Sequence, residues 1–336
     1  MTQNEERAAE LDQLLAANYL RHPRYGGDLA SHLPMALRSL YALGASAERL
    51  RDFARHYAGR LDPMPARGAL DVGADWPNFL GRDDVLADLV FHFERDLKLR
   101  GRHAVLREAL AQLAPSLASA AFHCLIRTAF GARFEDDAEI ARGLAYWVVT
   151  NETLGALESR APRERDPNAL LERIRSDPEL GHSAIEGNLI STRMLRAASL
   201  PGFAAIASDL VIDEGTLDRL AQVALELYAS TGNFTALHGL TSTHALRILR
   251  PFARDPTALL RHHWQGLAAA FITIGSPRPK PFAMERASAW NAILDRAIES
   301  NDDHDAKLVF ACREEGVFRK DDRYRFAAAL RMKLLG

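Results

Sequence analysis

Cysteine is nearly missing from the 336 residues, with Cys124 and Cys312 the only two. They supply neither a disulfide framework nor the paired spacing of a zinc or haem-attachment motif, so a reducing, cytoplasmic setting is expected. A surplus of either charge is missing too: 42 Lys and Arg stand against 44 Asp and Glu, a net charge of -2. Nothing there recommends nucleic acid or an anionic membrane, which leaves small molecules or proteins as partners. No apolar run approaches the ~18 residues of a membrane span. HHWQGLAAAFITIG is bounded by Gln265 on one side and by SPRPK on the other. The first twenty residues carry Glu5, Glu6, Glu10 and Asp12 where a signal peptide needs a basic start and an unbroken apolar core, and they read as a helix. G-x-G-x-x-G, G-x-x-x-x-G-K-[ST] and G-x-S-x-G are all absent, which removes the signatures of a dinucleotide fold, a P-loop and a hydrolase elbow.

What is present is helix. Apolar residues recur at helical spacing, as in Leu11, Leu14, Leu15 and Tyr19, or Leu106, Leu110, Leu113 and Leu117, while sustained strand alternation is lacking. With 48% hydrophobic residues the chain can bury a sizeable core. An all-α fold is expected, one large helical domain over residues 1–336. FITIG, the most strand-like run, reads as the end of a helix stopped by Gly275 and Pro277. The polar stretch from Glu158 to Gly181 marks an internal seam, either linker or exposed helix. On its two sides FHCLIRT (122–128) and LHGLTST (237–243) share His-x-Leu-x-x-Thr, a faint echo that suggests two related helical halves around a central pocket.

The twelve histidines divide by their neighbours. His22, His56, His92, His103 and His182 sit near charged residues in surface-like contexts, and His262 and His263 read as helix-surface residues beside Trp264. Four others lie among apolar or small residues: His32 in SHLPMALRSLYALG, where Ser31 is a candidate N-cap, His123 in SAAFHCLIRTAFG, and the pair His238 and His244 in LHGLTSTHALRIL. A buried imidazole needs partners for both nitrogens, so four in such company suggest one purpose, and metal ligation is the chemistry that uses several neutral imidazoles at once. The six-residue interval between His238 and His244 puts them about 120° apart on a straight helix with about 9 Å of rise. Sharing an ion would require the helix to break or restart near Gly239 and Thr241–Thr243; otherwise one ring binds and the other supports it.

A last cluster, DDHDAKLVFACREE, places His304 and Lys307 three apart on one helix face, with Lys307 entering an apolar run. His304 is a candidate catalytic residue. A buried lysine persists by lowering its pKa, by pairing with an acid such as Glu314 or Glu315, or by covalent modification.

SHLPMALRSLYALGA, FHCLIRTAFGA, FTALHGLTSTHALRILRP, AAAFITIGSPRP and DDHDAKLVFACREE together resemble the questin oxidase-like proteins, over about residues 20 to 330. The resemblance implies an all-helical oxidoreductase that opens an aromatic or quinone-like ring using O2, by oxygenative cleavage or Baeyer-Villiger-type oxidation. It further implies a non-haem iron held by His32, His123, His238, His244 and a carboxylated Lys307. The alternatives are an NADPH-dependent Baeyer-Villiger oxidase without metal and a helical binding protein that has lost turnover. Asp305, after His304, stands where the family usually has an apolar residue. Substrate contacts therefore do not transfer from the family to this chain.

Overall fold

A computed structural model describes residues 2–183 and 185–336. The described chain is helical apart from a two-stranded antiparallel sheet, as the apolar periodicity predicts. It divides into two compact units: residues 1–67 with 282–336, and residues 68–281. In chain order the first unit contributes α1 (Gln3–Asn18), α2 (Leu33–Leu43) and α3 (Ala47–Ala58). The second contains α4 (Leu86–Arg100), α5 (Arg102–Leu113), α6 (His123–Arg133), α7 (Asp137–Thr150), α8 (Pro167–Ser176), α9 (Ile190–Ala198), α10 (Phe203–Ala207), α11 (Thr216–Thr231), α12 (Phe234–Leu249) and α13 (Pro256–Thr273). The chain then completes the first unit with α14 (Trp290–Glu299), α15 (Asp303–Arg319) and α16 (Arg323–Met332).

In the first unit α15 lies against α2 and α16, and α1 against α2 and α3. The strands β1 (Arg24–Tyr25) and β2 (Leu29–Ala30) form a short hairpin just ahead of α2, pairing Arg24 with Ala30 and Tyr25 with Leu29. The start of α2 differs from the sequence expectation. His32, not Ser31, occupies the N-cap position and makes no side-chain cap bond, because Pro34 in the first turn already lacks one of the amide hydrogens that a cap would satisfy.

In the second unit α6 packs on α7 at two glycines. A Cβ at Gly143 would stand 2.7 Å from Thr128 Oγ1, and one at Gly131 would stand 2.7 Å from the Ile140 nitrogen, so only hydrogen permits this approach. A buried ion pair crosses the same interface, with Arg127 Nε 2.8 Å from Glu139 Oε1 and Nη2 3.2 Å from Oε2. Asp136 caps α7 by accepting from the Glu139 amide.

The stretch 158–181 lies within this unit and includes α8. Asp209, itself buried, draws in Arg160, Arg163 and Arg173, which ties the segment down. Helix α13 is buried at every residue from His263 to Ile272, then stops at Gly275 (φ +80°), the predicted end. Among the described residues no helix is long and apolar enough to cross a membrane.

Candidate functional site

In the first unit the chemistry gathers where the N-terminus of α15 meets the residue preceding α2. Asp302 caps α15, accepting from the His304 amide at 2.9 Å. Asp303, next in line, is buried, and its two carboxylate oxygens are divided between two imidazoles. Oδ2 lies 2.9 Å from His32 Nδ1 and Oδ1 lies 2.7 Å from His304 Nδ1. The two rings meet edge to face with centroids 4.4 Å apart. A carboxylate attracts the ring proton, so these contacts favour Nδ1 as its site in both rings, and His304 Nδ1 also meets Asp302 Oδ1 at 3.2 Å. This is the arrangement by which carboxylates prepare histidines to ligate metals or take up protons.

Burial, helped by Lys307 and His304, lowers the His32 pKa to about 3 against the pull of Asp303, so His32 is neutral at pH 7. Burial alone would raise the Asp303 pKa, but His32 and His304 hold it well below the usual carboxylate range. The Tyr57 hydroxyl accepts from the His32 amide at 3.0 Å; burial and the field of Asp303 keep it protonated.

Lys307 stands one turn further along α15 and is 2% exposed. Burial lowers its pKa to about 8, although Asp303 and Asp302 pull the other way. The acids that the sequence offered as partners lie downstream, and Glu315 is engaged by Arg319 at 2.8 Å. At pH 7 about a tenth of Lys307 is thus the uncharged amine, against well under a hundredth for an ordinary lysine, and that is the form with a lone pair to react.

In the second unit His123 and His238 meet. Helix α6 begins at His123 immediately after three non-glycine residues in the left-handed region, Ala120 (φ 49°), Ala121 (φ 54°) and Phe122 (φ 70°). Each costs an L-residue about 1–2 kcal/mol. This turn brings the Ala120 carbonyl onto His123 Nδ1, which donates to it. Phe122 is fully buried over Gly266, where a Cβ would come within 2.6 Å of its ring.

On α12, His238 Nδ1 lies 2.8 Å from the Phe234 carbonyl. Both Nδ1 atoms therefore donate, both Nε2 atoms carry lone pairs, and the two Nε2 atoms stand 3.1 Å apart. Lone pairs so close need a cation between them, a proton or a metal. Two nitrogens each ~2.0–2.1 Å from one ion and about 90–100° apart would be separated by about 2.8–3.2 Å. The spacing fits a pair of adjacent metal ligands.

Helix α12 runs unbroken from Phe234 to Leu249, which corrects the expected break at Gly239. Asn233 is its cap. The hydroxyls of Thr241, Ser242 and Thr243 bond back to carbonyls three or four residues earlier, so they are satisfied inside the helix instead of capping a new one. On this continuous helix His244 starts about 120° around the axis from His238, and its Nδ1 accepts from Arg247 at 3.4 Å, which leaves the ring proton on Nε2.

A questin oxidase-like family model matches residues 29–312. The chain belongs to the questin oxidase-like family. That match includes His32, His123, His238, His244, His304 and Lys307. A Baeyer-Villiger oxidase of Pestalotiopsis microspora is 25% identical over 343 aligned positions, taking in 84% of this chain and 75% of that protein. Another Baeyer-Villiger oxidase, of Paecilomyces divaricatus, is 32% identical over 151 positions, 40% of this chain and 33% of that protein. Family and relatives together make the chain an oxidoreductase.

Within each unit, then, the structure joins His32, His304 and Lys307 around Asp303, and His123 to His238. Sequence reasoning missed Asp303, although DDH at a helix start was the available signal. It also misplaced two histidines. His92 is buried on α4, and His263 is wholly buried on α13, its Nε2 3.0 Å from Ser242 Oγ and its pKa lowered by burial to about 3.

Proposed function

We propose that this family member is a metal-dependent oxidoreductase, with non-haem iron as its metal, that uses O2 to oxidise an aromatic or quinone-like substrate. The product class is that of oxygenative ring cleavage or Baeyer-Villiger-type insertion. The observation that carries the reading is the approach of His123 Nε2 to His238 Nε2 at 3.1 Å, with both Nδ1 atoms committed to carbonyls. Neutral imidazole suits iron, and a bound Fe(II) would supply the one-electron chemistry that O2 requires.

The protein's own contributions follow from its hydrogen bonds. In the second unit, His123 and His238 would hold the ion through Nε2. His244, with its ring proton on Nε2, is assigned the supporting role of a donor. In the first unit, Asp303 draws the His32 and His304 protons toward Nδ1, with Asp302 sharing the His304 contact. His32 Nε2 is thereby prepared as a ligand, and His304 Nε2 as the atom that takes up or returns a proton. Lys307, partly uncharged, would add CO2 to become an anionic carbamate able to ligate, as the family resemblance implies.

The test is metal content after anaerobic reconstitution with Fe(II). Wild type is expected to retain about one equivalent, and His123→Ala and His238→Ala to lose it by at least about tenfold, as removal of a direct ligand should cost no less than removal of its supporting partner. Wild-type protein that holds no stoichiometric transition metal would sink the proposal. The names of the two relatives support Baeyer-Villiger oxidation, which is also compatible with a second reading, an NADPH-dependent oxidase without metal. Saturable NADPH oxidation by metal-free protein with a quinone substrate would decide for it.

A further inference from the structure

We infer that Glu152 is a positioning residue for His123, an inference that rests on the ligand role proposed for that histidine. Glu152 lies just past the end of α7 and grips the left-handed turn. Its Oε2 accepts from the Ala120 amide at 2.8 Å. Its own amide donates to Ser119 Oγ at 2.8 Å, and Ser119 Oγ donates back to the Glu152 carbonyl at 3.2 Å. Three hydrogen bonds thus clamp residues 119 and 120 to the chain leaving α7.

The far end of the turn is fixed differently, by Phe122 seated over Gly266. Between those two anchors the chain is held at positive φ for three residues without a glycine. The Ala120 carbonyl, which accepts the His123 Nδ1 proton, is carried by the residue that Glu152 grips. Releasing the Ala120 amide frees the turn to relax toward ordinary backbone, and the carbonyl leaves His123 Nδ1 as it does. The tautomer that puts the lone pair on Nε2 is then no longer enforced. A hydrogen-bond acceptor at position 152 is what the device needs; the negative charge is incidental to it.

The experiment uses full-length, metal-free protein labelled with ¹⁵N-histidine, whose long-range ¹H–¹⁵N correlations report which ring nitrogen holds the proton. The His123 signals are assigned by their loss in His123→Asn. In wild type His123 is expected as the Nδ1–H tautomer. Glu152→Met, similar in length but without an acceptor, is expected to give a mixture of tautomers at His123 and to weaken Co(II) binding by about 10–100-fold, the usual range for losing a group that orients a ligand. Glu152→Gln keeps the acceptor and should match wild type in both readouts.

Should Glu152→Met fail to fold, Glu152→Asp, whose carboxylate stops one methylene short, is expected to move His123 in the same direction. An unchanged His123 tautomer in folded Glu152→Met or Glu152→Asp overturns the inference, and so does a Glu152→Gln protein as disturbed as Glu152→Met. Wild type that binds no Co(II) would instead count against the metal reading, while the tautomer measurement still judges Glu152.

Discussion

The Arg127–Glu139 pair makes a quantitative prediction about how α6, the helix that opens with His123, is held on α7. Both side chains are essentially sealed, at 2% and 0% exposure, and they meet through two hydrogen bonds. Burial raises the Glu139 pKa against the pull of Arg127, and the net shift is upward. Desolvation therefore outweighs attraction, the balance expected of a buried ion pair. Removing one member strands the other as an unpaired buried charge, at a cost of about 3–5 kcal/mol. Removing both leaves nothing stranded and returns two apolar side chains to an apolar interface.

The perturbations are Arg127→Met, Glu139→Leu and the double variant, and the assay is urea unfolding at pH 7. Each single variant is expected to lose about 3–5 kcal/mol, while the double stays within about 1 kcal/mol of wild type. Metal retention by the folded double variant should also survive, since the glycine contacts at Gly131 and Gly143 still set the helix spacing. A double variant as unstable as the sum of the singles would refute the reasoning, because the two side chains would then act independently and neither single variant would owe its loss to a stranded partner.

Two further outcomes follow from the buried titratable groups. Burial holds His263 neutral with a pKa near 3 against an ordinary 6.5, so its contribution is intact above pH 6.5 and is lost as pH falls below that value toward 3. At about 1.4 kcal/mol per pH unit the loss reaches about 2 kcal/mol at pH 5. His263→Gln should flatten the pH dependence of urea stability by that amount, and parallel curves for the two proteins would contradict the assignment. Lys307, with its pKa near 8, gains uncharged amine as pH rises through 8. ¹³C-bicarbonate is expected to label a carbamate whose NMR signal grows across that interval and is missing from Lys307→Arg; a wild-type spectrum with no such signal would exclude the modified ligand.

The helices were readable from the sequence because their apolar positions repeat at the helical period, and the stop at Gly275 because glycine reaches positive φ without strain. The histidine site was readable only in outline. His32, His123 and His238 were recognisable as polar rings in apolar company. What prepares them was not: the Asp303 carboxylate is one of three acids in the four residues Asp302–Asp305 at a helix start, and only packing against α2 decides which of them is buried. The turn before His123 is invisible for a different reason, since Ala-Ala-Phe carries no glycine to announce left-handed backbone.

Two misreadings have a common cause in side chains that found local partners. Thr241, Ser242 and Thr243 looked like a helix break, yet their hydroxyls are satisfied by the carbonyls of their own helix. His263 looked exposed beside a second histidine, but α13 has no polar face over most of its length.

That absence of a polar face bears on how the second unit forms. From His263 to Ile272 every side of α13 is covered, so none of its surface is at ease in water. A helix of this kind gains little from being made alone and must acquire its neighbours as it is made. α9, α11 and α12 pack against it, and α12 carries His238. Hydrogen exchange should therefore find the amides of α12 and α13 opening together in the slowest class, with the histidine pair assembled in the same event that completes the core.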